Sequence, residues 1–172
     1  MPPPVRAGAA FGLSFRPEQA EDDAFLARLY ASTRAEEVAG FGWPAEMQAG
    51  FLDQQRRAQQ AHFRRAYPNA EWLIVEQAGV PIGRLYIEAN DEVVHGVDIA
   101  LLPECRGSGL GAAVMQDLID YGRDLDRKIS VFVEYGNPAA HLYERLGFAP
   151  DGEERGVYTL YVWQPQSAAD EG

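Results

Sequence analysis

The stretch VVHGVDIALLPECRGSGLG, residues 93 to 111, constrains the fold more tightly than any other part of the chain. It opens as a β-rich apolar run, passes through a proline and three alternating glycines, and leads into Leu110, Val114, Leu118, Tyr121 and Leu125 at helical spacing. KISVFVE, residues 128 to 134, then returns as a strand. A strand, a helix and a strand with no room for a hairpin require a parallel pair joined by a right-handed crossover. The glycines therefore stand where a strand hands over to a crossover helix.

The remaining segments can be arranged around that unit. FGLSFRP reads as a first strand closed by Pro17, and the stretch from Glu18 carries Phe25, Leu26, Leu29 and Tyr30 in helical register. GFGWP breaks the pattern, and a second helix is predicted from Ala45 to Ala66 with Met47, Phe51, Leu52, Ala58 and Phe63 as its apolar stripe. EWLIVEQ and PIGRLYIEA, separated by AGV, form a hairpin. NPAAHLYERLGF is a short helix with Asn137 as N-cap, Pro138 at its first position and Gly147 as its stop, and GVYTLYVW supplies a last strand. The order β-α-α-β-β-β-α-β-α-β defines a mixed α/β fold in which a meander precedes one crossover. With 172 residues the chain is expected to be one domain over residues 11–164, with a flexible segment at 1–10 and a flexible acidic tail at 165–172.

Composition removes several function classes. A net charge of −11 argues against nucleic acid as partner, since phosphate backbones need a basic surface. The arginine pairs at 56/57 and 64/65 are accordingly expected on a solvated or subunit-facing helix surface. No run approaches the roughly 20 apolar residues that span a bilayer, so no membrane role and a cytoplasmic location are expected. Cys105 has no second cysteine to pair with, His62, His95 and His141 lack metal spacing, and Lys128 is the sole lysine. No metal is expected, and Schiff-base chemistry is set aside.

Three glycine motifs compete at residues 107–111, and spacing decides among them. Gly107, Gly109 and Gly111 give GxGxG and not the dinucleotide GxGxxG; no lysine completes a P-loop; and Arg106 and Leu110 stand where a GxSxG elbow around Ser108 needs glycines. What remains is a loop whose backbone N–H groups, with the first turn of the helix, can converge on an anion. A plain turn into a helix is the other reading of these residues alone.

A second motif bears on that choice. RxxGxG (Arg106, Gly109, Gly111) followed later by NxxAxxLYxxLGF (Asn137, Ala140, Leu142, Tyr143, Leu146, Gly147, Phe148) resembles the acyl-CoA-binding signature of the GNAT superfamily of N-acetyltransferases. The resemblance covers roughly residues 11 to 164. It implies a central mixed sheet of about six or seven strands flanked by about four helices, acetyl-CoA as cosubstrate, and an amine of a small molecule or protein as acceptor, and it is compatible with a homodimer. By the same resemblance, backbone groups of Ile99 and Leu101 hold the pantetheine arm. Amides of Arg106, Gly107, Ser108, Gly109, Leu110 and Gly111 hold the diphosphate, Asn137 contacts the coenzyme, and Tyr143 faces the sulfur.

Such chemistry sets demands on the chain. An alkylamine of pKa near 10.4 is protonated at pH 7 by roughly a thousand to one, so a base or desolvation must supply about 4 to 5 kcal/mol. A strand N–H such as that of Leu101 can stabilise the developing oxyanion, and Tyr143 can protonate the leaving thiolate, although Tyr143 also fits simple packing on the sheet. For the base, alternation puts His95, Val97, Ile99 and Leu101 on one face and Asp98 on the other, with Glu88 and Glu134 as further candidates. Phe41 and Trp43 are expected either to wall the acceptor cleft or to staple the helices to the core. A non-catalytic coenzyme sensor of the same fold remains the alternative.

Overall fold

The computed structural model describes residues 1–166. Seven strands form one sheet: β1 (Leu13–Pro17), β2 (Glu71–Gln77), β3 (Val80–Ala89), β4 (Val93–Leu101), β5 (Lys128–Glu134), β6 (Ala149–Arg155) and β7 (Tyr158–Trp163). Four α-helices accompany them: α1 (Asp23–Ala39), α2 (Ala45–Ala66), α3 (Leu110–Leu125) and α4 (Ala139–Arg145). The spatial order is β1-β2-β3-β4-β5-β7-β6, antiparallel except for the β4·β5 pair. The crossover through α3 thus produces the parallel pair that its sequence demanded. β6 was not anticipated as a separate strand: APDGEER has neither alternation nor β-branched residues, is exposed throughout, and pairs with β7 only at its two ends.

The sheet has two unlike faces. One packs against α3 through a core that includes Leu73, Leu85, Val114, Met115, Leu118 and Ile129. The other meets α1, whose Leu26, Leu29, Tyr30 and Val38 are buried, and α2, whose one buried residue is Arg56. The stripe expected on α2 is corrected here: Met47 and Ala58 are exposed, and Phe51, Leu52 and Phe63 are only half-buried. Arg56, expected on a solvated or subunit-facing surface, instead spans the helix pair by hydrogen bonds to Asp23 (3.1 Å) and Asp53 (3.2 Å). Arg64 stacks on Trp72, 4.0 Å from the ring centre, and bonds Glu18. Long arginine stems cover apolar surface while their heads remain paired, which residue-type patterning does not register.

Part of the N-terminal segment, expected to be flexible, is bonded to the rest of the fold. Asp117 on α3, fully buried, accepts backbone N–H bonds from Arg6 (2.9 Å), Ala7 (2.6 Å) and Gly8 (3.0 Å). These bonds fix a short 3-10 turn at Ala7–Phe11 against α3. A carboxylate that accepts three amides tolerates burial because its charge is met by donors. Of the acidic tail, residues 167–172 lie outside the described residues.

Candidate active site

Pairing between β4 and β5 covers four rungs, from Val93↔Lys128 to Gly96↔Val131, and then stops. At the last rung a Cβ on residue 96 would come 2.8 Å from Val131 Cγ1, so glycine permits the close approach just before the strands part. Beyond it lies a bulge. Gly96 opposes Ile87 and Asp98 opposes Tyr86, which leaves Val97 as one extra residue in β4. The strand bends there, and its edge from Val97 onward has no strand partner on the β5 side. The gap holds a cleft of about 190 Å³ lined by residues including Val97, Asp98, Ile99, Glu134, Asn137, Tyr143 and Tyr158.

The extra residue reverses the facing expected along β4. Simple alternation grouped His95 with Ile99 and Leu101 and set Asp98 opposite. In the structure Ile99 and Leu101 belong to the α3-side core, while His95 opposes Glu88 and Asp98 opposes Tyr86 on the other side. His95 consequently leaves Tyr143. It lines a second cavity of about 230 Å³ with Tyr67, Ser130, Phe132, Glu153 and Arg155. Its Nδ1 lies 2.8 Å from Ser130 Oγ, and its ring stacks on Tyr67 at 5.5 Å. Burial first, then the nearby Arg155 charge, lowers its pKa to about 4, so the imidazole is neutral at pH 7.

Asp98 sits at the bulge with one oxygen bound by the buried Arg84 guanidinium, which also donates to Gln59 of α2 (3.0 Å). Glu134 ends β5 at the cleft's rim. Tyr143 reaches the cleft from α4 beside Phe148, at 5.6 Å between rings. Burial, and secondarily the negative charge of Asp98, raises its phenol pKa, keeping the proton in place. Asn137 does cap α4, its Oδ1 accepting the Ala139 N–H at 2.9 Å, and also lines the cleft. Glu88 is turned away: it accepts the Asn69 N–H at 3.1 Å.

The glycine loop borders the far end of β4. Gly107 and Gly109 take φ of +74° and +85°, a left-handed backbone that side-chain-bearing residues rarely adopt. Among the described residues, the N–H groups of Gly107, Ser108, Gly109, Leu110 and Gly111 have no acceptor. Arg106 is exposed, and its guanidinium reaches back to the Leu101 carbonyl (3.3 Å). The Ser108 hydroxyl donates to the Cys105 carbonyl (2.8 Å), so it braces the loop. Leu110 points into the core. Unpaired amides on a glycine turn at the positive end of a 16-residue helix suit an anionic group. No His, Cys, Asp and Glu group among the described residues could hold a metal ion.

Phe41 and Trp43 lie apart from this cleft. They cluster with Phe51 at the α1–α2 junction, with ring centres 4.9 to 6.0 Å apart, and both remain partly exposed. Tyr158, which lines the cleft, escaped sequence reading because VYTLYVW looks the same whether its polar positions face solvent or a cavity.

A mixed seven-stranded sheet, splayed between two central parallel strands beside an amide-lined turn, defines the class of GNAT-fold proteins. The chain belongs to that family: the model of the acetyltransferase (GNAT) family matches residues 35–148. A Bacillus subtilis (strain 168) protein named, provisionally, ribosomal protein bS18-alanine N-acetyltransferase is 31% identical over 96 residues, which are 54% of this chain and 62% of that relative. The alignment thus spans less than two thirds of the relative's length. The PaiA N-acetyltransferase of Thermoplasma acidophilum, solved with coenzyme A, superposes with a TM-score of 0.64 at 12% identity, covering 88% of this chain and 98% of that one. Spermidine N-acetyltransferase of Vibrio cholerae, solved with CoA and spermine, gives 0.62 at 24% identity, covering 89% and 95%. These structural likenesses establish the fold. No helix among the described residues is long and apolar enough to cross a membrane.

Proposed function

We propose that the chain is an acetyl-CoA-dependent N-acetyltransferase in which a primary amine of a small molecule or protein attacks the thioester directly. The observation that carries this reading is convergence. An unpartnered edge of β4 runs from the strand gap, where Tyr143 lines the cleft, toward the loop that carries five free amides at the N-terminus of α3.

Residues 107–111 would hold the diphosphate through their N–H groups, and the β4 edge from Val97 would hold the pantetheine arm by strand-like hydrogen bonds. When bound, the coenzyme supplies an activated acyl group. Asp98 and Glu134, both on the cleft wall, attract the cationic amine and accept its proton, directly or through water. Arg84 holds Asp98 in place by pairing with it. A free N–H on the splayed edge faces the developing oxyanion, in a cleft where such a bond is worth more than in water. Tyr143, with its proton retained by burial, delivers it from Oη to the departing sulfur. His95, neutral and in a separate cavity, takes no part in that proton transfer.

Free-thiol release from acetyl-CoA against polyamines, amino acids, aminoglycosides and peptide N-termini tests the reading. Turnover with at least one amine is expected, and Tyr143→Phe should lower kcat by roughly 10²-fold or more while coenzyme affinity holds. Binding without turnover against every amine would replace the enzyme by a coenzyme sensor.

A further inference from the structure

Phe11 is a large apolar side chain that the core does not claim. It is 40% exposed and absent from the cluster that gathers Val5, Ala7 and Phe15 around it. Its ring lies against the glycine loop: a Cβ on Gly109 would fall 3.4 Å from Phe11 Cζ and 3.7 Å from Cε1. Hydrophobic burial alone gives no reason to hold an aromatic there.

The ring is nevertheless held. The turn that ends in Phe11 is anchored to α3 by the three amide bonds to Asp117, and α3 is the helix whose first turn forms the amide cradle. The Phe11 carbonyl is fixed by Gln77 Nε2 at 3.1 Å, and Gly12, at φ +71°, turns the chain directly into β1. A planar apolar face is therefore presented, at a set distance, to whatever is covalently attached to a diphosphate in the loop.

Resting on the reading of that loop as a diphosphate site, we propose that Phe11 is a stacking platform for the purine of the coenzyme's adenosine. A purine has a π-face available to an aromatic ring, and stacking needs no hydrogen-bond register, which suits a partly exposed position. The Asp117 clamp accounts for why the N-terminal segment is ordered: it delivers this ring.

The test compares two ligands on three proteins. Coenzyme A and 4′-phosphopantetheine, which lacks the 3′-phosphoadenosine and one phosphate of the diphosphate, are titrated calorimetrically into the wild type, Phe11→Ala and Phe11→Trp, each checked by its unfolding transition. Phe11→Ala should weaken CoA binding by roughly 5- to 100-fold, the range of base-on-aromatic stacking. Its affinity for 4′-phosphopantetheine should match that of the wild type, and Phe11→Trp should retain or strengthen CoA binding. Undiminished CoA affinity in Phe11→Ala overturns the platform, as does an equal loss for both ligands, which would make Phe11 a brace for the loop. A wild type that binds neither ligand overturns the diphosphate reading itself and the platform with it.

Discussion

The two faces of the sheet are built by different physics. Against α3 the sheet buries Leu85, Val114, Leu118, Ile119 and Ile129 to near-zero exposure, and the one buried charge on that helix, Asp117, is met by three backbone amides. Against α1 and α2 the same sheet buries Arg84, and Arg56 and Asp22 lie beneath the helices, while Tyr86 donates to Glu18. Nonspecific apolar burial supports the coenzyme side, where a rigid loop must be presented. Paired charges support the face that carries Asp98, the carboxylate proposed to meet the acceptor amine. A network of this kind fixes geometry more than it adds stability, because desolvation offsets much of the Coulomb gain.

Stability measurements can break that comparison. Leu118→Ala, at the centre of the apolar face, should destabilise by about 2–5 kcal/mol in urea unfolding, through lost transfer energy plus a cavity. The next effect is read against pH. His95 has a folded pKa of about 4, below its ordinary 6.5, so between these values the unfolded chain binds more protons than the folded one. Its contribution is complete above pH 6.5 and falls away as pH drops toward 4, on the order of 2–3 kcal/mol across the window. His95→Gln should flatten the wild-type slope there; an unchanged slope would show that His95 is not buried as a neutral ring.

The smallest effect separates the faces most sharply. Arg84→Met strands Asp98, whose side chain is 26% exposed, and should destabilise by about 1–3 kcal/mol, less than for a fully buried pair. Adding Asp98→Leu should recover most of that loss, although it removes activity. A double variant as unstable as the single one would mean that the ion pair is a net stabiliser and that the two faces are built alike.

The same contrast explains how much could be read from sequence. The α3 face was legible because Leu110, Val114 and Leu118 repeat at helical spacing, and the parallel pair followed from the absence of room for a hairpin. Tyr143 and Asn137 line the cleft, and their expected coenzyme contacts came from the resemblance of a two-part motif, not from periodicity. Arg56 was misplaced because a buried, multiply paired arginine has the same local signature as a solvated one. The facing of His95 and Asp98 was inverted by a single inserted residue, Val97. A bulge is decided by the partner strand's register, and alternation within VVHGVDIALL carries no trace of it. The Asp117 clamp was hidden for a related reason: its acceptors' partners are backbone amides more than a hundred residues away, on a segment whose prolines suggested fraying.

Everything on the coenzyme side rests on the loop amides, and they can be watched individually. In an ¹⁵N-labelled sample titrated with coenzyme A, the backbone resonances of Gly107, Ser108, Gly109, Leu110 and Gly111 should shift together and saturably. Those of the exposed Gly42 and Gly156 should stay fixed. Coenzyme that binds while these five amides remain unmoved, or that does not bind at all, would contradict the account.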